Sequence, residues 1–187
     1  MATAAPPAPA LSATQLKAQL WADERERVTA VVMGTRIPDL PQRLAQADII
    51  DHGCLRPGAL SRREQAEAAY LVQLKRDSRF GDWLLFEAPA GLPDWGVVTV
   101  SVAAPLALRS HLRALTDAVL PDGQPLELDW MDPPVLDALL PHFDAAGLRA
   151  FFGPMRALVI PAATRWRRAE LQLGQLTWHD AVPAKAA

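Results

Sequence analysis

Hydrophobic residues fall into short runs, separated by proline, glycine and clusters of charge. Val28 to Met33 is apolar and β-branched and closes on Gly34, which predicts a buried strand. Trp95 to Val102 is the clearest strand pattern in the chain. Tyr70–Leu74, Trp83–Phe86, Leu126–Met131 and Met155–Ile160 read as shorter strands, with Thr164–Leu173 as a further one. Along Leu126–Met131 the alternation sets Leu126, Leu128 and Trp130 on one side and Glu127 and Asp129 on the other. Between the strands the spacing becomes helical. Leu108, Leu112, Leu115 and Val119 recur at i, i+4, i+7 and i+11, predicting a helix over 105–118 that Pro105 opens. Leu16, Leu20 and Trp21 share one face of a helix over 13–24, with Ser12 and Gln15 as a capping box, and Ser61 and Glu64 repeat that pattern.

A helical hairpin is predicted near 133–152. Asp132-Pro133 reads as N-cap and first turn, and Gly153-Pro154 as the stop. Leu136, Leu139, Leu140, Leu148, Phe151 and Phe152 are expected to face the sheet. Strands interleaved with helices imply the α/β class, a mixed β-sheet packed by helices. Three stretches follow: 1–26, an N-terminal tail and short helix; 27–160, the α/β domain; and 161–187, a C-terminal strand and tail. Residues 1–10, rich in Ala and Pro, and the last dozen residues are expected to be tails.

Composition narrows the function. A chain of 187 residues, half of them hydrophobic, folds without a metal or disulfide. A net charge of −2 argues against a general nucleic-acid binder. One cysteine, Cys54, excludes an internal disulfide and a multi-cysteine metal site and fits a reducing cytoplasm. The longest mostly apolar run, Val97–Leu108, is too short and too interrupted to span a bilayer, and the first residues lack the charge of a secretory signal. A cytoplasmic protein without a membrane partner is expected.

Compact catalytic motifs are missing: no phosphate loop, GxGxxG, GxSxG or HExxH. Four clusters have both a chemical and a structural interpretation. Asp51-His52-Gly53-Cys54 pairs a thiol with an imidazole. Glu127, Asp129 and Asp132 resemble a divalent-metal set, or else a solvent-facing edge and a helix cap. Arg109, His111 and Arg113 suit an anion or a polar helix face. Arg165, Arg167 and Arg168 around Trp166 suit a nucleic acid or a charge-guarded edge strand. The structural interpretation is preferred in each case, so no catalytic residue, metal or cofactor is expected. Aromatic anchors favour a binding role. Two alternatives stand beside it: a metal-dependent hydrolase using Glu127, Asp129 and Asp132, and a stand-alone regulatory binding module.

An ordered set of motifs goes further. VVMGTRIPDL (31–40), YLVQL (70–74), DWGVVTVS (94–101), LRSHLRAL (108–115), PDG (121–123), MDPPVLDALLP (131–141) and FDAAGLRAFFGPMRALV (143–159) follow one another. Over residues 27–160 this series resembles the domain family of type VI secretion adaptor chaperones, formerly a domain of unknown function. The residues carrying the resemblance are Trp95, Gly96, His111, Asp132, Pro133, Phe151, Phe152, Gly153 and Pro154. The chain departs from the family at Met33, where an acidic residue is usual, and at Asp129, where an Arg usually lies between two aromatics. Only a short segment follows Ile160, where relatives continue into a sizeable lobe. The resemblance implies a cytoplasmic chaperone, not an enzyme, that binds a cognate secreted effector and helps load it onto the VgrG spike. Trp95 and Trp130 are expected in the core, and Trp21, Trp166 and Trp178 are the expected partner-binding anchors. A mainly apolar contact is expected to lose little affinity in salt.

Overall fold

Valine dominates both faces of the two central strands, β2 (Arg27–Met33) and β5 (Gly96–Ser101), and every residue of β5 is buried. A strand covered on both faces reads as a nearly continuous apolar run, and both of these are broken only by a threonine within their apolar stretch. The computed structural model describes residues 8–120 and 122–184. Around β2 and β5 it builds an eight-stranded sheet. The other strands are β1 (Ala10–Leu11), β3 (Asp51–Cys54), β4 (Ala69–Gln73), β8 (Met155–Pro161), β9 (Trp166–Gln172) and β10 (Gln175–Pro183). The order is β1-β10-β9-β8-β5-β2-β4-β3. Every neighbouring pair is antiparallel except β1 and β10, so the sheet is mixed. A separate ribbon pairs β6 (Asp117–Val119) with β7 (Pro125–Glu127).

The twofold period of the strands splits the core. Val28, Ala30, Val32, Val98, Val100, Ala157 and Val159 point to one side, where they meet α1 (Ala13–Leu20), α2 (Leu40–Ala45) and a helical run formed by α4 (Arg79–Asp82), a π turn (Trp83–Glu87) and α5 (Ala88–Gly91). Val31, Met33, Val97, Leu158 and Ile160 point to the other side. There they pack under α6 (Pro105–Ala114), α7 (Pro133–Leu139) and α8 (Ala145–Phe152). A short helix α3 (Arg62–Glu67) leads into β4, opened by the Ser61–Glu64 capping box, and Ser12–Gln15 caps α1 in the same way. The α/β class and the mixed sheet agree with the sequence pattern, and α7 and α8 occupy the stretch expected to form a helical hairpin. Among the described residues no helix is long and apolar enough to cross a membrane.

Several expectations are corrected. Trp83–Phe86 is helical, not a strand. The Ser78 hydroxyl accepts from Gly81 N–H and starts the helix, and Leu84, Leu85 and Ala88 then bury on one side of it. A four-residue apolar run suits either element. Leu126–Met131 is a strand only at Pro125–Glu127. Trp130 turns into the core while Leu126 stays 41% exposed, so the two do not share a buried side. Helix α6 ends at Ala114, and Val119 belongs to the ribbon. The expected C-terminal tail is largely a nine-residue strand, β10, which pairs along the full length of β9 and gives β1 its partner. Pairing with β9 supplies the order that the polar sequence of β10 does not advertise. The two terminal stretches thus share one sheet with residues 27–160; residues 1–7 and 185–187 of the expected tails lie outside the described residues. In the hairpin, Leu136, Leu140, Leu148, Phe151 and Phe152 are buried as expected, but Leu139 is only half-buried. Asp144 caps α8 by accepting from Gly147 N–H at 2.7 Å. Asp132 holds the N-cap position of α7 without a side-chain bond to it, because its carboxylate faces Arg36 at 3.2 Å instead.

Candidate functional site

The motif residues build scaffold. Gly96 has φ +142, and a Cβ there would lie 2.0 Å from the Val31 carbonyl, so only glycine lets β5 approach β2 this closely. Trp95 beside it is 1% exposed, and its carbonyl accepts from Met33 N–H at 2.9 Å. His111 Nε2 lies 2.9 Å from the Phe151 carbonyl oxygen. The His111 ring fills the space over Gly153, where a Cβ would meet it at 2.3 Å. Ser101 Oγ donates to the Pro154 carbonyl at 2.8 Å. These contacts lock α6, α8 and β5 together. Phe151, Phe152 and Pro133 are buried among them, and Trp130 donates its indole N–H to the Leu112 carbonyl at 3.1 Å. The two arginines flanking His111 are likewise engaged. Arg109 lays its guanidinium over Gly53, and Arg113 Nε donates to the Leu55 carbonyl at 2.7 Å. The three side chains do not converge on an anion.

The tryptophans chosen as anchors do not share a surface. Trp166, expected as an anchor, is 1% exposed and stacks on Phe86 at 5.8 Å, so it belongs to the core and offers no ring to a partner. Its pairing with Ala181 sets it on the inward side of β9. Trp21, at the C-cap of α1, is half-buried on one face of the sheet. Trp178 is half-buried on the opposite face, with the Arg167 guanidinium 4.1 Å above its ring. The sheet therefore separates them. Arg165 pairs with Asp180, Arg167 with Asp137 and Arg168 with Glu170, which leaves no basic platform at these positions. A tryptophan missed in the sequence, Trp83, lies half-buried with Arg43 over its ring at 5.2 Å. His52 is exposed on edge strand β3, while burial pushes the Cys54 thiol up, away from a reactive thiolate.

What the fold does bring together is a groove between the β6–β7 ribbon and the β3–β4 edge. Its volume is about 600 Å³. Leu55, Pro57, Ala69, Leu126 and Met131 supply an apolar lining, and Glu67, Asp117, Glu127 and Asp129 supply negative charge against Arg56 and Arg113. Three of the large apolar side chains left in solvent stand on the ribbon or its turn: Val119, Leu120 and Leu126, exposed by 72%, 40% and 41%. A smaller pocket of about 230 Å³, with Arg27, Asp51, His52 and Arg109 in its wall, lies at the other end of β3.

The groove is acidic. Arg56 holds Glu127 at 2.8 Å and Arg36 holds Asp132 at 3.2 Å, but Asp129 has no ion-pair partner among the described residues. Desolvation first, then Glu127 and Asp132, raise the Asp129 carboxyl above its ordinary range. Across the ribbon, Asp117 is registered directly opposite Glu127, a like-charge pair that opposes ribbon formation. Glu127, Asp129 and Asp132 do gather, but two of them are held by arginine, and no three His, Cys, Asp or Glu side chains among the described residues form a metal-binding group. A signal for this site was available: from Ala114 to Leu148 the chain has seven acidic residues and no Lys or Arg. Such a one-signed run in a nearly neutral chain marks a surface charge asymmetry.

The model of the family described as "Domain of unknown function (DUF4123)" matches residues 30–150. No curated protein and no solved structure matches the chain. The matched segment contains the second half of β2, all of β5, the ribbon and both walls of the groove.

Proposed function

The chain belongs to the DUF4123 family, and from that premise we propose that it is an adaptor chaperone, which binds a secreted effector in the cytoplasm and helps load it onto a VgrG-type spike of the type VI secretion system. The observation that carries this reading is the family match over residues 30–150. The motif residues behind the resemblance lie in that segment or just beyond it, and there they hold α6 and α8 against the sheet. The groove is consistent with a bound partner. Burying Val119, Leu120 and Leu126 against an effector removes apolar surface from water on both molecules, and interface affinity concentrates in a few such anchors. The work is done by binding alone, with no bond made or broken. Glu127 and Asp132, held by Arg56 and Arg36, lend no support to the hydrolase alternative.

Co-expression with a candidate effector, a toxin sought among the neighbouring genes, followed by size-exclusion chromatography, tests the adaptor function. The two proteins are expected to co-elute, and the toxin to be less soluble alone. Separate elution at low salt, with a toxin fully soluble by itself, overturns it.

A further inference from the structure

We infer that the groove between the ribbon and the β3–β4 edge receives a basic, extended segment of the effector, with an apolar side chain seated against Leu126 and Met131 and a flanking Lys or Arg reaching Asp129 and Asp117. This rests on the adaptor function proposed above and specifies the chemistry of its partner.

The charge of the groove sets the sign of the partner. Of the seven acidic residues between Ala114 and Leu148, Glu127, Asp132 and Asp137 are paired with Arg56, Arg36 and Arg167, although Asp132 Oδ1 is buried without a hydrogen-bond partner, and Asp144 caps α8. Asp117 and Asp129, both in the groove wall, have no cation within ion-pair distance among the described residues. With Glu67 and Glu127 they outnumber the two arginines of the wall, Arg56 and Arg113, of which Arg56 pairs with Glu127 and Arg113 donates to the Leu55 carbonyl, so the wall holds more negative charge than the chain neutralises. Like charges held this close disfavour the empty state, and an incoming cation relieves that repulsion without a counterpart in the free protein. The floor sets the rest of the chemistry. Leu55, Ala69 and Met131 line it beneath the exposed Leu126, so one large apolar side chain of the partner removes water from both sides. The ribbon is two short strands with unshared outer edges, and an extended segment lying alongside gains backbone partners there as well. A neutral, purely apolar partner leaves Asp117 and Asp129 desolvated and unpaired, which costs affinity.

The effect of salt changes accordingly. A purely apolar contact is nearly indifferent to salt, whereas a contact that pairs two carboxylates weakens as ionic strength rises.

The test uses the full chain in complex with the co-expressed effector, with affinity measured at low and physiological salt. Leu126→Asp is expected to weaken binding about thirtyfold, the size of one interface hot spot. Asp129→Lys is expected to weaken it about tenfold or more by opposing the partner's charge. Asp129→Asn keeps the shape, weakens binding a few-fold and flattens the salt dependence. The same Asp129→Asn raises the melting temperature of the free protein, an opposition of stability and binding that a merely structural role for Asp129 does not produce. Leu106→Asp, at the 230 Å³ pocket, is expected to bind as wild type. A photo-crosslinker at position 126 is expected to label an effector segment that carries Lys or Arg. Full-strength binding by Leu126→Asp and Asp129→Lys, or a cross-link to an acidic segment, overturns the groove assignment and leaves the adaptor function standing. Failure of the wild-type chain to bind the effector at all removes both.

Discussion

Helix α6 joins two regions with opposite character. On one side, His111, Gly153, Phe151 and Ser101 form a closed contact in which the imidazole has a partner, the hydroxyl has a partner, and the rings are buried. On the other, the ribbon that begins at Asp117 leaves three apolar side chains in water, sets Asp117 against Glu127 and leaves Asp129 without a cation among the described residues. The first region contains the residues with a recognisable motif. The second contains almost none, yet it has the properties of a surface meant to be covered. In this chain the recognisable residues maintain the frame, and the less regular segment between them is where the proposed recognition would lie.

Substitutions can break or sharpen that contrast. The largest effect is expected from Phe152→Ala, which empties a fully buried ring site between α8 and the sheet and should cost about 3–5 kcal/mol in denaturant unfolding. A cost below about 1 kcal/mol would mean that the hairpin packs loosely. Next is a pair of glycines with positive φ. Gly153→Ala, at φ +46 and under the His111 ring, should cost about 3 kcal/mol from strain and clash together. Gly123→Ala, at φ +86 in the ribbon turn with open space around it, should cost only about 1 kcal/mol. Equal losses would erase the difference between the two regions. Leu139→Ala should cost about 1 kcal/mol, well below a core leucine, because that residue is half-buried. Leu126→Ala should change stability by no more than about 0.5 kcal/mol, since its side chain is already largely in water.

The smallest expected change has the opposite sign. The Asp129 carboxyl is raised above its unfolded value, so the folded state holds its proton more tightly than the unfolded state does. Its ionised form therefore costs stability at neutral pH, and that cost fades as pH falls through the carboxylate range and the group protonates. Asp129→Asn should give a slightly higher melting temperature at pH 7, and the difference should vanish in acid. A lower melting temperature at pH 7 would show that the carboxylate is satisfied in the folded chain.

Much of the frame was legible residue by residue. Ser12 and Ser61 cap helices because a short polar side chain three residues before Gln or Glu has a nearby N–H to accept from. The buried strand at β5 follows from its apolar run, and the helices over 133–152 from their start and stop signals. The errors have one common origin. Trp83–Phe86 has too few residues to separate helix from strand, and β10 is ordered only by β9 beside it. Trp166 appeared peripheral because its position in the chain is peripheral, whereas β9 inserts it beneath Phe86. The candidate site was half legible. Glu127, Asp129 and Asp132 were singled out together, but their meaning depends on Arg36 and Arg56, which arrive from far along the chain.

Local pattern by itself determined which segments of this protein are strands or helices where caps and periods are strong, that the class is α/β, and that 114–148 carries charge of one sign. These properties depend on neighbours three or four residues away, and the chain specifies them directly. Tertiary structure alone decided that Trp21 and Trp178 lie on opposite faces, that His111 sits over Gly153, and that the acidic ribbon stands across a groove from the β3–β4 edge. Those outcomes depend on the order of strands in the sheet. That order is set by the summed burial of two apolar layers, a property that no local stretch of sequence contains.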